Sequence, residues 1–331
     1  MSNSLKKNLF TVLKISLAVI IVWYLFNSGK LTKENLLTLA YPTNIPFLLL
    51  AAAAFLASQI LSSLRLIFLL RISSISLQFV QAFKLTMIGN FFNMVIPGMI
   101  GGDVIKGYLL TKSEHDSKGK SSGIIVMDRV LGLLALLLVG SLSIVYLLYR
   151  CNFTSLPYQK ELRLLMIFSM LFLSSIFIIL AFTKNSRIRN KLKTLAFRYF
   201  RGGFIYYMIE GFAAVTKKRR YLLYTFFISV IIQLFSLIGL FILMQMLGES
   251  SLRIIPLLAV SSVVMLVGVV PVTPGNIGWT ELIATFSWAA IGSSYGAIVF
   301  FYWRVVVLFC SLPWGLFYFL PIGHEKVPKS I

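Results

Sequence analysis

Apolar residues run almost without interruption over residues 9–26, 46–64, 123–149, 164–182, 221–247 and 297–320. Each run is close to the ~20 residues that carry a helix across a hydrocarbon core of roughly 30 Å. Six full spans are therefore expected. Lys6 and Lys7 precede the first run, and Trp23 and Tyr24 lie near its far end, as interface anchors do. Its charge layout is that of a signal peptide, but no small-residue cleavage site follows, so it reads as a retained anchor. Pro46 opens the second run at a helix position whose missing N–H costs nothing.

Two further apolar runs, 85–110 and 254–294, are interrupted in the same way. The first contains Pro97, Gly98, Ile100, Gly101, Gly102 and Asp103; the second contains Pro274, Gly275, Ile277, Gly278 and Glu281. Both read Pro-Gly-x-Ile-Gly followed by a carboxylate. Proline removes a helix donor and glycine relaxes the backbone, so a new helix starts after each break with free N–H groups and a positive dipole end. Arms of about 12 residues in the first run are too short to cross, which favours a re-entrant hairpin. Arms of about 17 residues in the second allow either a hairpin or two short spans, the latter giving eight spans. Broken helices at membrane depth are tolerated where they are buried in protein or line a cavity, and paired breaks in two halves of a chain point to a substrate site. The plainer alternative is that Pro-Gly turns a hairpin and each acid caps the next helix.

The composition fits this pattern: 58% of the 331 residues are hydrophobic and the mean hydropathy is +0.89, values of an all-α polytopic membrane protein. In a soluble chain a net charge of +21 would suggest nucleic acid, but here the cations sit between apolar runs, and no nucleic-acid partner is expected. The N-terminus, residues 65–84, 106–122, 183–220 and the tail hold 22 of the 31 Lys and Arg residues; the opposite loops hold 6 and the spans 3. The positive-inside rule then puts both termini in the cytoplasm, here of a bacterial inner membrane. Residues 1–182 and 221–331 become two halves of one transmembrane domain, related as an inverted repeat, with the basic loop 183–220 between them. That loop carries 11 Lys or Arg against Glu210 alone, and residues 192–200 have the spacing of an interfacial helix. Cys151 and Cys310 suggest neither a disulfide nor a metal site, and His115 and His324 lie in polar segments, so no metal or other cofactor is expected.

Ionisable residues inside apolar segments cost at least ~2.5 kcal/mol each, and so call for a reason. They are Asp103, Lys106, Asp128, Arg129, Glu281 and Arg304; Lys14 and Arg65 could snorkel to an interface. Three cations and three acids balance, which fits internal ion pairs. The functional alternative is a cradle of Lys106, Arg129, Arg304 and the helix N-termini at Gly101 and Gly278 around a phosphate, with a carboxylate exchanging a proton. No nucleotide-binding or zinc motif is present, so no catalytic activity is expected.

The stretches 89–110 (GNFFNMVIPGMIGGDVIKGYLL), 127–134 (MDRVLGLL), 271–281 (PVTPGNIGWTE) and 302–304 (YWR) resemble the lysylphosphatidylglycerol synthase transmembrane-region family over nearly the whole chain. The resemblance implies the fold that serves as the lipid-flipping half of bifunctional enzymes that aminoacylate phosphatidylglycerol. Two departures stand out. Lys106 replaces a common arginine, which keeps charge but loses bidentate geometry, and only 11 residues follow Leu320, so no soluble transferase domain is expected there. The resulting expectation is a flippase-like protein that moves or handles an anionic lipid or lipid-linked intermediate between leaflets. A secondary transporter of a small anion or organic acid, and a non-transporting subunit partnering a lipid-modifying enzyme, remain the alternatives.

Overall fold

Helix is the regular structure throughout the described part of this computed structural model, which comprises residues 16–72, 75–95, 101–113, 118–150, 194, 219–249, 253–270 and 272–319. In chain order the α-helices are α1 (Ser16–Asn27), α2 (Lys33–Leu37), α3 (Ile45–Ile72), α4 (Phe79–Val95), α5 (Gly101–Ser113), α6 (Lys118–Arg150), α7 (Arg219–Met246), α8 (Ile254–Val267), α9 (Trp279–Ala289) and α10 (Gly296–Phe319). Among the described residues four helical stretches are long and apolar enough to cross a membrane: Pro42–Ile72, Gly123–Leu147, Arg220–Met246 and Gly296–Tyr318. The protein is thus a membrane protein with several apolar helices. The expected span 164–182 and most of the basic loop 183–220 lie outside the described residues, as does the start of the first expected span.

Leu49 and Leu50 on α3, Phe227 and Ile231 on α7, and Phe309 and Leu316 on α10 are exposed. In water such a surface would aggregate; against lipid tails it is the natural outer face. Inside, apolar contacts gather at two ends. At one end Leu66, Leu69 and Leu70 of α3 meet Leu110 of α5, Ile124 and Met127 of α6 and, at the edge, Leu222 and Phe226 of α7. At the other, Ala51 and Phe55 of α3 meet Leu243 of α7, Leu257 of α8, Trp288 of α9 and Ile298 of α10. These sets fix the chain directions: α6 and α7 both start beside the end of α3, whereas α10 starts beside its beginning.

Two boundaries differ from the sequence pattern. The second apolar run was expected to stop at residue 64, but α3 continues to Ile72, because Arg65 turns inward to an acid instead of out to an interface. The polar stretch 111–122 is largely helical, with α5 reaching Ser113 and α6 starting at Lys118. Both interrupted runs are interrupted in the fold: α4 ends at Val95 and α5 begins at Gly101, while α8 ends at Val267 and α9 begins at Trp279.

Candidate functional site

The second break is described except for residue 271. After α8 the chain passes Thr273 in extended conformation, makes a short 3-10 turn over Pro274–Asn276, and enters α9 through Gly278. Gly275, Asn276 and Gly278 have φ of +56°, +55° and +80°. Two of these positions are glycines, which adopt that conformation without a Cβ penalty. Asn276 is held there by its side chain, whose Nδ2 donates to the carbonyl of Gly268. Thr273 Oγ1 donates to the carbonyl of Ile277 at 2.8 Å, so side chains within the turn replace helix hydrogen bonds lost to proline.

Arg304, eight residues into α10, closes this break from the side. Its Nε donates to Glu281 Oε1 at 2.8 Å and its Nη1 to the carbonyl of Gly275 at 2.6 Å. Its Nη2 donates to the carbonyl of Asn276 at 2.9 Å, to Thr280 Oγ1 at 2.7 Å and to Glu281 Oε2 at 3.2 Å. Thr280 Oγ1 also donates to Glu281 Oε2 at 3.0 Å. Glu281 is 1% exposed. The guanidinium therefore does the work of a resident cation, neutralising a buried carboxylate and satisfying two carbonyls that the turn leaves free.

The first break is built on the same plan. Asp103 is the third residue of α5, as Glu281 is the third of α9. Arg129 of α6 holds it by two parallel bonds, Nε to Oδ2 at 2.6 Å and Nη2 to Oδ1 at 3.0 Å. Each post-break carboxylate is thus gripped by an arginine from the helix that follows. The difference lies in exposure: Arg129 keeps 42% of its side-chain surface open, against 18% for Arg304. Pro97 and Gly98 lie outside the described residues. Gly101 and Gly102 open α5, and the N–H of Gly102 donates to Asn93 Oδ1 at 3.0 Å. A methyl group on Gly102 would collide with the carbonyl of Gly89, so α4 and α5 touch backbone to backbone.

Asp128, beside Arg129, pairs with Arg65 of α3, with Arg65 Nε to Asp128 Oδ1 at 2.7 Å; Arg65 Nη1 donates to Ser229 Oγ of α7 at 2.8 Å. Lys106 is the exception. It is 7% exposed, and its ammonium has neither hydrogen-bond nor ion-pair partner among the described residues. Its stem lies over Gly89, where any side chain would strike Lys106 Cε. The charges acting on it are Asp103, Arg129, Asp128 and Arg65. Three cations and two carboxylates then share one cluster, with a formal surplus of one positive charge.

The second break packs against the end of α4. A Cβ on Gly275 would stand 2.5 Å from the carbonyl oxygen of Met94, the neighbour of the Asn93 that caps α5. Of the six residues singled out from sequence, Asp103, Lys106, Asp128 and Arg129 form one cluster and Glu281 with Arg304 another. Sequence reasoning missed Arg65 as an inner residue, and also Asn93, Asn276, Thr280 and Ser229. It likewise missed Asn90, which donates to Gln59 Oε1 at 2.6 Å. Polar residues inside the runs, not only charged ones, were the signal for these.

The fold and site define a multi-helix membrane protein with two broken helices, each post-break carboxylate held by an arginine. The chain belongs to the family described as lysylphosphatidylglycerol synthase TM region, whose model matches residues 11–315. It is similar to a UPF0104 membrane protein of Pyrococcus horikoshii, 24% identical over 87% of this chain and 88% of that one. A UPF0104 membrane protein of Methanocaldococcus jannaschii is 27% identical over 78% of each. No solved structure matches the chain.

Proposed function

We propose that this protein carries an anionic lipid or lipid-linked intermediate between leaflets, in a flippase-like manner and without a catalytic step of its own. The observation that supports the reading is Lys106: a buried ammonium without a hydrogen-bond or ion-pair partner among the described residues, beside an arginine that is 42% open. Leaving such a charge unpaired in hydrocarbon is costly, so its retention fits a ligand that supplies the missing negative charge.

The layout of the helices supports the same reading. Asp128 and Arg129 lie about three turns inside α6 from the end where α3 finishes, and Arg304 about two turns inside α10 from the opposite end. Matched sites entered from opposite ends are the arrangement of an inverted repeat, and such repeats bind substrate where their breaks meet. The basic loops suit a cytoplasmic-membrane orientation with both termini inside. Membrane lipids are then the partners, with a lipid-modifying enzyme supplying the cargo.

Lipids retained by the protein in mild detergent, identified by mass spectrometry, test this. Anionic phospholipid should be enriched over the composition of the source membrane, and Lys106→Gln should lose that enrichment. The same lipids at the same ratios on both forms would instead favour a scaffold, and no retained lipid together with uptake of a soluble anion would favour a small-anion carrier.

A further inference from the structure

We infer that the Lys106 cluster selects a phosphate carrying one negative charge, a phosphodiester, over the doubly charged phosphomonoester. The inference rests on the carrier reading above and adds the charge of the ligand.

The argument is one of balance. Arg129 spends Nε and Nη2 on the two oxygens of Asp103, and Arg65 spends Nε on Asp128 and Nη1 on Ser229. Within those two pairs every unit of charge is matched. Among the described residues only Lys106 is left over, nine-tenths buried and without a hydrogen-bond or ion-pair partner. A monoanion brings the cluster to neutrality. A dianion leaves one negative charge uncompensated in a low-dielectric site, unless it breaks an ion pair and strands Asp103 or Asp128 instead; either outcome is expensive. Among the described residues the second break offers no further cation, because Arg304 is committed to Glu281, Thr280 and two carbonyls.

Lysine fits this role better than an arginine would. An ammonium is a point charge with three rotatable donors and makes no demand for a planar, bidentate partner. A phosphodiester has two charged-type oxygens on a body esterified at two sides, and a single ammonium can approach them from one direction. Specificity here comes from the cost of the surplus charge on the wrong ligand, not from extra contacts to the right one.

The test is binding to the full-length protein in mild detergent at about pH 7.5, above the second ionisation of a phosphomonoester near 6. The probes are phosphatidylglycerol, phosphatidic acid and soluble dimethyl phosphate, with wild type, Lys106→Gln and Lys106→Arg. Phosphatidylglycerol should bind at least about tenfold more tightly than phosphatidic acid to wild type and to Lys106→Arg, and Lys106→Gln should lose most of that affinity. Dimethyl phosphate competing with the lipid at millimolar concentration would place the recognition in the phosphodiester itself; no competition would place the ligand as an intact lipid. Equal, Lys106-dependent binding of both lipids overturns the charge selection and leaves the carrier reading standing. Binding indifferent to Lys106 overturns both. Thermal unfolding of each variant separates loss of binding from loss of fold.

Discussion

Replacing Lys106 by methionine is expected to make the empty protein more stable and to remove its anion binding at the same time. Methionine nearly matches the lysine stem in volume and can lie over Gly89 as the lysine does, so the packing cost is small. What disappears is a buried charge without a partner, whose burden on insertion scales is ~2.5–3.5 kcal/mol. A gain of ~1–3 kcal/mol, or a few degrees in melting temperature, should follow. Residues kept for packing behave in the opposite way, losing stability when changed. Unfolding followed by tryptophan fluorescence in detergent checks the sign: a fall in melting temperature for Lys106→Met would mean that the lysine is a structural partner after all. Added anionic lipid should raise the melting temperature of wild type and leave that of Lys106→Met unmoved.

Arg304→Ala should have the reverse effect and the largest loss of all. The substitution removes the only ion-pair partner of Glu281 among the described residues and frees the carbonyls of Gly275 and Asn276 at a turn whose backbone already sits at positive φ. Breaking a buried pair from one side costs ~3–5 kcal/mol, because the other charge stays buried. Arg304→Lys should rescue little, since one ammonium cannot reach a carboxylate, a hydroxyl and two carbonyls in a fan. Adding Glu281→Gln to Arg304→Ala should recover part of the loss. Denaturation midpoints of the two single variants and the double variant form a cycle, and additivity in that cycle would show that the pair is not coupled. The contrast between the two cations is the point. From sequence both are basic residues inside apolar runs, yet one latches a turn and the other has no partner among the described residues.

That contrast also marks how far the residues can be read without coordinates. The breaks were legible because proline and paired glycines inside apolar runs have few other uses, and the ionisable residues were legible because hydrocarbon makes each one costly. The direction of each side chain was not. Arg65 sits one residue beyond an apolar run and reads as a snorkelling end; only Asp128 and Ser229, brought in from α6 and α7, turn it inward and let α3 continue to Ile72. Asp103 and Lys106 stand three apart on one helix face and suggest a pair, but a bidentate arginine outcompetes an ammonium for the carboxylate, which leaves the lysine alone. A formal balance of three cations and three acids hid this, because Arg65 had been assigned to an interface. The carboxylate after each Pro-Gly-x-Ile-Gly was visible in the sequence, whereas the arginine that holds it, 26 residues on from Asp103 and 23 on from Glu281, was not. The pairing becomes a structural statement only once the bonds are seen.

The same logic explains why the two halves are not interchangeable. Arg304 is enclosed and every bond it makes fastens the second break, so that half holds a fixed shape beside the end of α4. Arg129 is partly open and stands beside an ammonium with no partner among the described residues, so on the proposed reading the first half carries the adjustable charge. A carrier needs both, a rigid wall and a site whose electrostatics change when the cargo arrives.

The central claim, that Lys106 receives the negative charge of a lipid on its way between leaflets, is tested most directly by head-group translocation in proteoliposomes. A labelled phosphodiester lipid placed in the outer leaflet should become protected in vesicles containing wild-type protein, while vesicles with Lys106→Met, folded and at equal density, should match protein-free controls. Translocation by Lys106→Met at the wild-type rate, or none by wild type above the protein-free rate, would contradict it.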